Sequence, residues 1–261
     1  MLSSKAVIVI PARMASSRFP GKPLAMIAGK TMIRRVWEIA QKSALANRVI
    51  IATDDDDLAR EVSSYAEVIM TSPACKTGTD RVAETLDRLD ETYDVIFSLQ
   101  GDAVLTPPWI IDGVLKTMLD DPSVGMATPA VKLEGKAKAD FIESKLRGSS
   151  TGTTVVFDKN FNALYFSKTL IPFARENLTD RPVYRHIGLY AYKPEILKQL
   201  SQLPQTPLEK VEQLEQLRAL ENGMPIRVAL VDYRGRTHGS VDKPDDVQTV
   251  ETIIANEREL I

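Results

Sequence analysis

The chain has 261 residues, a formal charge of −2 at neutral pH and one cysteine, Cys75. That length suits one large α/β domain with an ample core, and so balanced a charge argues against a broad nucleic-acid surface, so basic clusters are expected to face small anions. A lone cysteine excludes an intramolecular disulfide and a cysteine zinc cluster; no apolar run approaches the roughly 18 residues that cross a membrane or forms a secretory signal, so the cytoplasm is the expected setting.

Ala6 to Ile10 is an apolar, β-branched run that reads as a buried strand, passing at Pro11 into a loop with Arg13, Arg18 and Lys22 among small residues. A loop after the first strand of an α/β sheet lies outside the strand's carboxyl end, where such sheets bind ligands. Ser16, Ser17 and Gly21 leave space for backbone amides to approach phosphate oxygens. The loop is therefore either a polyphosphate cradle or a solvated basic turn, and it is neither a Walker loop nor a dinucleotide fingerprint. Thr31 is placed to cap a helix with Ile33, Val36, Trp37 and Ala40 inward and Arg34, Arg35 and Lys42 outward. Arg48 to Thr53 is a second strand that runs into four acids, Asp54 to Asp57. These acids suit the start of the next helix, with Leu58, Val62 and Tyr65 at helical spacing, better than a metal cluster. Glu67 to Met70 is a short strand, and Thr77-Gly-Thr-Asp-Arg81 opens a helix carried by Val82, Leu86 and Leu89, with Thr77 or Thr79 as its cap.

Tyr93 to Leu99 is the clearest buried strand of the middle region and delivers Gln100-Gly-Asp102 at its carboxyl end. Asp102 suits either a magnesium carboxylate or an Asx turn before Thr106-Pro107-Pro108. A helix over 109–119 and a strand over 125–131 follow. Residues 133–150 are polar and lysine-rich, and with the small-residue run 148–154 they read as a mobile loop. Short strands are expected over 155–158, 163–166 and 184–192. His186 is by default a core histidine, and His238 a surface residue. Pro207 to Leu220 places Leu208, Val211, Leu214, Leu217 and Leu220 on one helical stripe, a packed face. Residues 226–231 form a final strand, and Val241-Asp242 precedes a terminal helix with Val247, Val250, Ile253 and Ile254 inward.

Ile10-Pro-Ala-Arg-x-x-Ser-Ser-Arg-x-Pro-Gly-Lys-Pro-Leu24 resembles the opening signature of the 3-deoxy-manno-octulosonate (Kdo) cytidylyltransferases, within the sugar nucleotidyltransferases. The likeness continues in family order through Ala52-Thr-Asp54, Thr77-Gly-Thr-Asp-Arg81, Leu99-Gln-Gly-Asp102, Ala163-Leu-Tyr-Phe-Ser167, Arg185-His-Ile-Gly188, Pro207-Leu-Glu209, Leu214-Glu-Gln-Leu-Arg218 and Val241-Asp242. The resemblance implies a Rossmann-like nucleotide-diphospho-sugar transferase fold in one domain: a mostly parallel mixed sheet flanked by helices. It also implies a small β-rich insert near 133–192 that bounds the sugar pocket and makes a homodimer contact. The implied partners are CTP and an ulosonic acid, Kdo first and 8-amino-Kdo or a nonulosonate next, with magnesium as cofactor and neither nucleic acid nor membrane. Arg13, Lys22, Asp102 and Asp242 are the implied catalytic residues, and the two acids hold the metal. Pro11, Ala12, Arg13, Ser17, Arg18, Lys22, Thr77, Gly78, Thr79, Arg81 and Gln100 would contact the nucleotide, and Gln100, Lys168, Arg185, His186, Tyr190, Glu209 and Gln216 the sugar.

The chain departs from the family pattern around the sugar. Ala103 stands where a glutamate is usual, Lys168 where an arginine is usual, and the usual Asn-Pro-x-x-Val-Lys-Val-Val ends here as Thr154-Val155-Val156. An Arg to Lys change loses the planar fork that matches a carboxylate. Two readings from other classes compete: a nucleotide-binding regulator that has lost catalysis, and a glycosyltransferase using Asp54 to Asp57 as its Asp-x-Asp motif.

Overall fold

The computed structural model describes residues 4–16, 18–175 and 181–261. The chain begins with β1 (Ala6–Ala12), the hairpin β2 (Met26–Ile27) and β3 (Lys30–Thr31), and α1 (Met32–Ala40). It alternates through β4 (Arg48–Thr53), α2 (Asp56–Val62), β5 (Glu67–Met70), α3 (Gly78–Leu86), β6 (Val95–Ser98), α4 (Pro108–Asp120) and β7 (Met126–Lys132). The insert holds α5 (Gly135–Leu146), β8 (Thr153–Phe157), β9 (Ala163–Ser167) and β10 (Tyr184–His186). β11 (Tyr190–Tyr192), α6 (Pro194–Gln202), α7 (Pro207–Glu212), α8 (Gln216–Glu221), β12 (Arg227–Leu230) and α9 (Asp245–Glu257) complete it.

Among the described residues the main sheet runs β5-β4-β1-β6-β11-β7-β10-β8-β9, with β12 on the other edge of β7. β5, β4, β1 and β6 pair in parallel, and β12 pairs in parallel with β7, whereas β11, β10, β8 and β9 enter antiparallel. This is the expected mostly parallel mixed sheet. Helices cover both faces of β1, so its apolar run is continuous instead of alternating. Ala6, Ile8 and Ile10 join the core with α1 and α4, while Val7 and Val9 join the core on the opposite face with Val82, Leu197 and Leu217. The carboxyl ends of β1, β4 and β6 share one edge, so the basic loop, Asp54 and Gln100-Gly-Asp102 arrive together.

Several elements differ from the sequence expectation. Residues 133–150 hold α5 instead of a loop; no residue of this helix is buried. Its large apolar residues, Phe141, Ile142 and Leu146, are confined to the second half, so no apolar period reveals the helix, and i,i+4 pairs such as Lys136–Asp140 (2.6 Å) support it. Lys145 anchors its end, its ammonium donating to the carbonyls of Gly152 and Lys168, both at 2.6 Å. The stripe over 207–220 is broken: Gln213 adopts φ 54°, α7 ends, and Leu208 and Val211 are left exposed while Leu214 and Leu217 are buried. Arg35 is buried instead of outward, donating to the Ile27 and Ala28 carbonyls at 2.5 and 2.7 Å and pairing with Glu259 at 2.9 Å. It thereby pins the hairpin whose Ala28 sits at φ 43°. The strand expected over 184–192 divides into β10 and β11, and His238 is half-buried instead of exposed. No described helix is long and apolar enough to cross a membrane.

Candidate active site

Beyond β1 the chain turns back on itself, Gly21 donating its amide to the Met14 carbonyl at 3.0 Å and taking φ 72° before a 3-10 turn at Lys22–Leu24. An L side chain is strained at that angle, so glycine sets the direction in which Lys22 leaves the loop. The Lys22 ammonium then lies 2.5 Å from Asp102 Oδ2 and 3.9 Å from Asp242 Oδ1, and Arg18 reaches Asp242 Oδ1 at 3.1 Å. Residues from three separate parts of the sequence thus close one network. Two contacts hold the carboxylates there. A Cβ on Gly101 would stand 3.0 Å from the Pro11 carbonyl, so only glycine lets the loop after β6 lie against β1. Val241 donates its amide to the Asp102 carbonyl at 3.4 Å, which ties the approach to α9 beside that loop. The Asp102 carboxylate is spent on Lys22, not on an Asx turn.

This network walls a cleft of about 230 Å³ lined also by Pro11, Ala12, Arg13, Thr77, Gly78, Arg81 and Gln100. Of the sequence-predicted nucleotide residues, Ser17 lies outside the described residues. Thr79 has a different place. Thr77 caps α3 reciprocally with Asp80, and Thr79 is buried beneath, its hydroxyl turned toward Tyr192 and Glu215. A Cβ on Gly78 would lie 3.3 Å from the Pro11 ring and 3.5 Å from Gln100 Oε1, so the amide of Gln100 faces bare backbone there. Arg81 is buried, bonded to the Thr71 hydroxyl and paired with Asp54 at 3.1 Å. That pairing, and Asp55 capping α2 through the Leu58 amide at 2.8 Å, account for the head of the acidic run. Among the described residues, no group of three or more His, Cys, Asp or Glu side chains is placed to hold a metal. Cys75 also lines the cleft, its thiol bonded to Glu84 at 3.0 Å and pushed up to about 11 by burial and that carboxylate.

A second polar wall continues from Thr79. His186 is buried against the ring of Phe166 at 4.8 Å and near that of Tyr190 at 5.7 Å. Thr128 donates its one hydroxyl proton to the Leu189 carbonyl at 2.7 Å, so it accepts from His186 Nε2 at 2.8 Å. This assigns the proton to Nε2 and leaves Nδ1 as an acceptor. Burial, then the charges of His238 and Lys168, lowers the imidazole to about 3, so it is neutral at physiological pH. Nearby, Ser98 Oγ, Glu215 Oε1 and Gln216 Nε2 are buried without a hydrogen-bond partner, Arg218 standing 4.0 Å from that Glu215 oxygen. Burial raises the Glu215 carboxyl. Such orphans are rare in native interiors unless a water or ligand serves them. Glu215 was not singled out from the sequence; its signal there is its place inside the Leu214-Glu-Gln-Leu-Arg218 motif.

Three predicted sugar residues stand apart from that wall. Both oxygens of Glu209 are occupied by Arg218, at 2.9 and 2.5 Å, with both side chains 5% exposed, so Glu209 supports the wall instead of facing a ligand. Arg185 precedes His186 on a strand and so points to the opposite face, where it lies over the Phe141 ring at 5.9 Å. Lys168 is half-buried after β9, its amide donating to Glu212 at 2.7 Å. The departures from the family pattern are accommodated structurally: Ala103 packs into the core, and the Thr154 hydroxyl donates to the Thr169 carbonyl at 2.6 Å.

The family described as cytidylyltransferase matches residues 7–226. The 3-deoxy-manno-octulosonate cytidylyltransferase of Maricaulis maris is 52% identical over 254 residues, covering 97% of this chain and 98% of that protein. The 8-amino-3,8-dideoxy-manno-octulosonate cytidylyltransferase of Shewanella woodyi is 41% identical, covering 95% of this chain and 98% of its own length. A solved CMP:2-keto-3-deoxy-manno-octonic acid synthetase complexed with CTP superposes with a TM-score of 0.87 at 36% identity, covering 97% of this chain and 100% of that one. With the basic loop, the paired carboxylates and the fold all in agreement, the chain belongs to the 3-deoxy-manno-octulosonate cytidylyltransferase family of nucleotidyltransferases.

Proposed function

We propose that this enzyme transfers CMP from CTP to the anomeric hydroxyl of an ulosonic acid, with Kdo as the acceptor, and releases pyrophosphate. The observation that carries the reading is the convergence of Arg13, Arg18 and Lys22 with Asp102 and Asp242 in one cleft. The three cations neutralise the triphosphate and hold its α-phosphate for in-line attack. Gly78, Pro11 and Gln100 form the base side, where backbone groups distinguish the cytosine edge from uracil. The acceptor lies along His186, Tyr190, Glu215 and Gln216, bringing its hydroxyl to the α-phosphorus as the bond to pyrophosphate breaks. No side-chain nucleophile is needed.

Two carboxylates facing one cation position fit magnesium, which takes one or two carboxylates and completes its shell with phosphate oxygens and water. Asp102 and Asp242 would hold it. When bound, it supplies Lewis-acid polarisation of the α-phosphate and lowers the pKa of the acceptor hydroxyl. A homodimer through the insert is part of the proposal, supported by the exposed Leu146, Leu164 and Phe173; so is a cytoplasmic setting.

The second reading is 8-amino-Kdo as acceptor, favoured by the altered Lys168 and Thr154 positions and by the Shewanella relative. Pyrophosphate release with CTP and a panel of Kdo, 8-amino-Kdo, a nonulosonic acid and sialic acid separates the two. Kdo is expected to lead in kcat/KM by about tenfold or more. A lead for the amino sugar establishes the second reading, and silence across the panel despite CTP binding overturns both. In the same assay Glu215→Gln is expected to raise the acceptor KM by about tenfold with the CTP KM unchanged, since the oxygen without a hydrogen-bond partner is assigned to the sugar. An unchanged acceptor KM would remove Glu215 from the site.

A further inference from the structure

We propose that Lys22 is a stand-in cation: its ammonium closes the divalent metal position in the nucleotide-free enzyme and opens it only when a triphosphate draws the lysine away. The inference rests on reading Asp102 and Asp242 as the metal carboxylates. The geometry that carries it is the position of Lys22 Nζ, 2.5 Å from one carboxylate and 3.9 Å from the other, where an ion bridging the two would sit. Arg18 takes the same Asp242 oxygen at 3.1 Å, so that carboxylate is engaged from both sides.

Charge and burial make this closure more than a surface contact. The Lys22 side chain is 16% exposed and that of Asp102 26%, so their attraction is screened less than an exposed pair's. Arg13, Arg18 and Lys22 outnumber the two carboxylates, while Arg81 is neutralised by Asp54, so the empty cleft is net positive and repels a divalent cation. A bound triphosphate reverses that excess. It also offers the lysine and arginine a stronger anion than a single carboxylate, which frees Asp102 and Asp242 together. Metal and nucleotide are then coupled through this chain's own lysine, beyond the affinity that the free ions have for each other, and the coupling is reciprocal. Among the described residues no third acid joins the pair as a possible ligand, Asp246 being turned to the amides of Asp242 and Lys243, and this agrees: two carboxylates alone hold magnesium weakly until phosphate oxygens join them.

The test is Mn²⁺ binding without nucleotide, read by the electron paramagnetic resonance of free Mn²⁺, in wild type, Lys22→Met, Lys22→Gln and Lys22→Met/Asp102→Asn. Both lysine variants are expected to bind Mn²⁺ about tenfold or more tightly than wild type, and the double variant to lose that gain. The glutamine variant keeps the test open if methionine perturbs the fold. Equal affinity in wild type and both variants overturns the stand-in role, as does a gain that survives Asp102→Asn. A separate measurement isolates the reading beneath it: Mn²⁺ water-proton relaxation in the complex with a non-hydrolysable CTP analogue. A signal identical in wild type and Asp102→Asn overturns the metal assignment itself, and the stand-in role with it.

Discussion

Asp102→Asn is expected to lower the rate of pyrophosphate release by about three orders of magnitude while CTP still binds. The substitution keeps the shape of the side chain and the Gly101 turn beneath it, but it removes the charge facing Lys22 at 2.5 Å and any cation that takes its place. Losing one such electrostatic element at the reacting phosphate costs several kcal/mol of transition-state stabilisation, and each ~1.4 kcal/mol is tenfold in rate. In the proposed arrangement the nucleotide is held mainly by Arg13, Arg18, Lys22 and the base-side backbone, so the loss should fall on kcat and leave the KM for CTP within about threefold. Single-turnover kinetics with saturating Kdo reads this directly. A drop confined to CTP affinity would make Asp102 a binding residue and remove it from the chemistry.

Glu209→Ala is expected to be the most destabilising single change around the sugar wall, by about 3–5 kcal/mol, because it takes the bidentate partner from the buried Arg218 guanidinium and leaves it only the more distant Glu215, 4.0 Å away. For a chain of this size that lowers Tm by on the order of 10 °C. Burial alone would raise the Glu209 carboxyl, but the arginine fork and the Thr206 amide outweigh it and hold it below the usual glutamate range. The pair's contribution is therefore present at neutral pH and lost as pH falls through the depressed carboxylate pKa, so the wild-type advantage over Glu209→Ala narrows in acid. Glu209→Leu/Arg218→Met, which removes both charges, should recover most of the loss. Differential scanning calorimetry settles this. Below the melting range, Glu209→Ala should keep its acceptor KM; a KM rise at full folding would return Glu209 to the ligand.

The sequence-to-structure agreement follows the reach of local signals. β1 is legible because a parallel strand covered on both faces is a continuous apolar run, and Gln100-Gly-Asp102 because a buried strand followed by a glycine turn places its acid at the sheet's carboxyl edge. Arg35 was not legible: its charged type and position on α1 suggest solvent, yet it is consumed by the carbonyls of a distant hairpin and by Glu259. The break after α7 depends on Gln213 entering a left-handed conformation, which no glycine announces. α5 has few apolar residues and buries none of them, since its anchor is Lys145 on the Gly152 and Lys168 carbonyls. At the site, motif matching marks where residues cluster but not which way each points. It grouped Arg185 with His186, which strand alternation separates, and it passed over Glu215, whose burial and lack of a hydrogen bond to one oxygen arise only from the tertiary fold.

The central claim is that the cationic loop and the paired acids perform cytidylyl transfer to an ulosonic acid. ³¹P nuclear magnetic resonance of the enzyme with CTP, magnesium and Kdo tests it most directly. The account predicts loss of the three CTP resonances, one new phosphodiester signal from the CMP-sugar and an equal amount of pyrophosphate. CTP that stays intact with Kdo and with 8-amino-Kdo, despite demonstrated nucleotide binding, would contradict it.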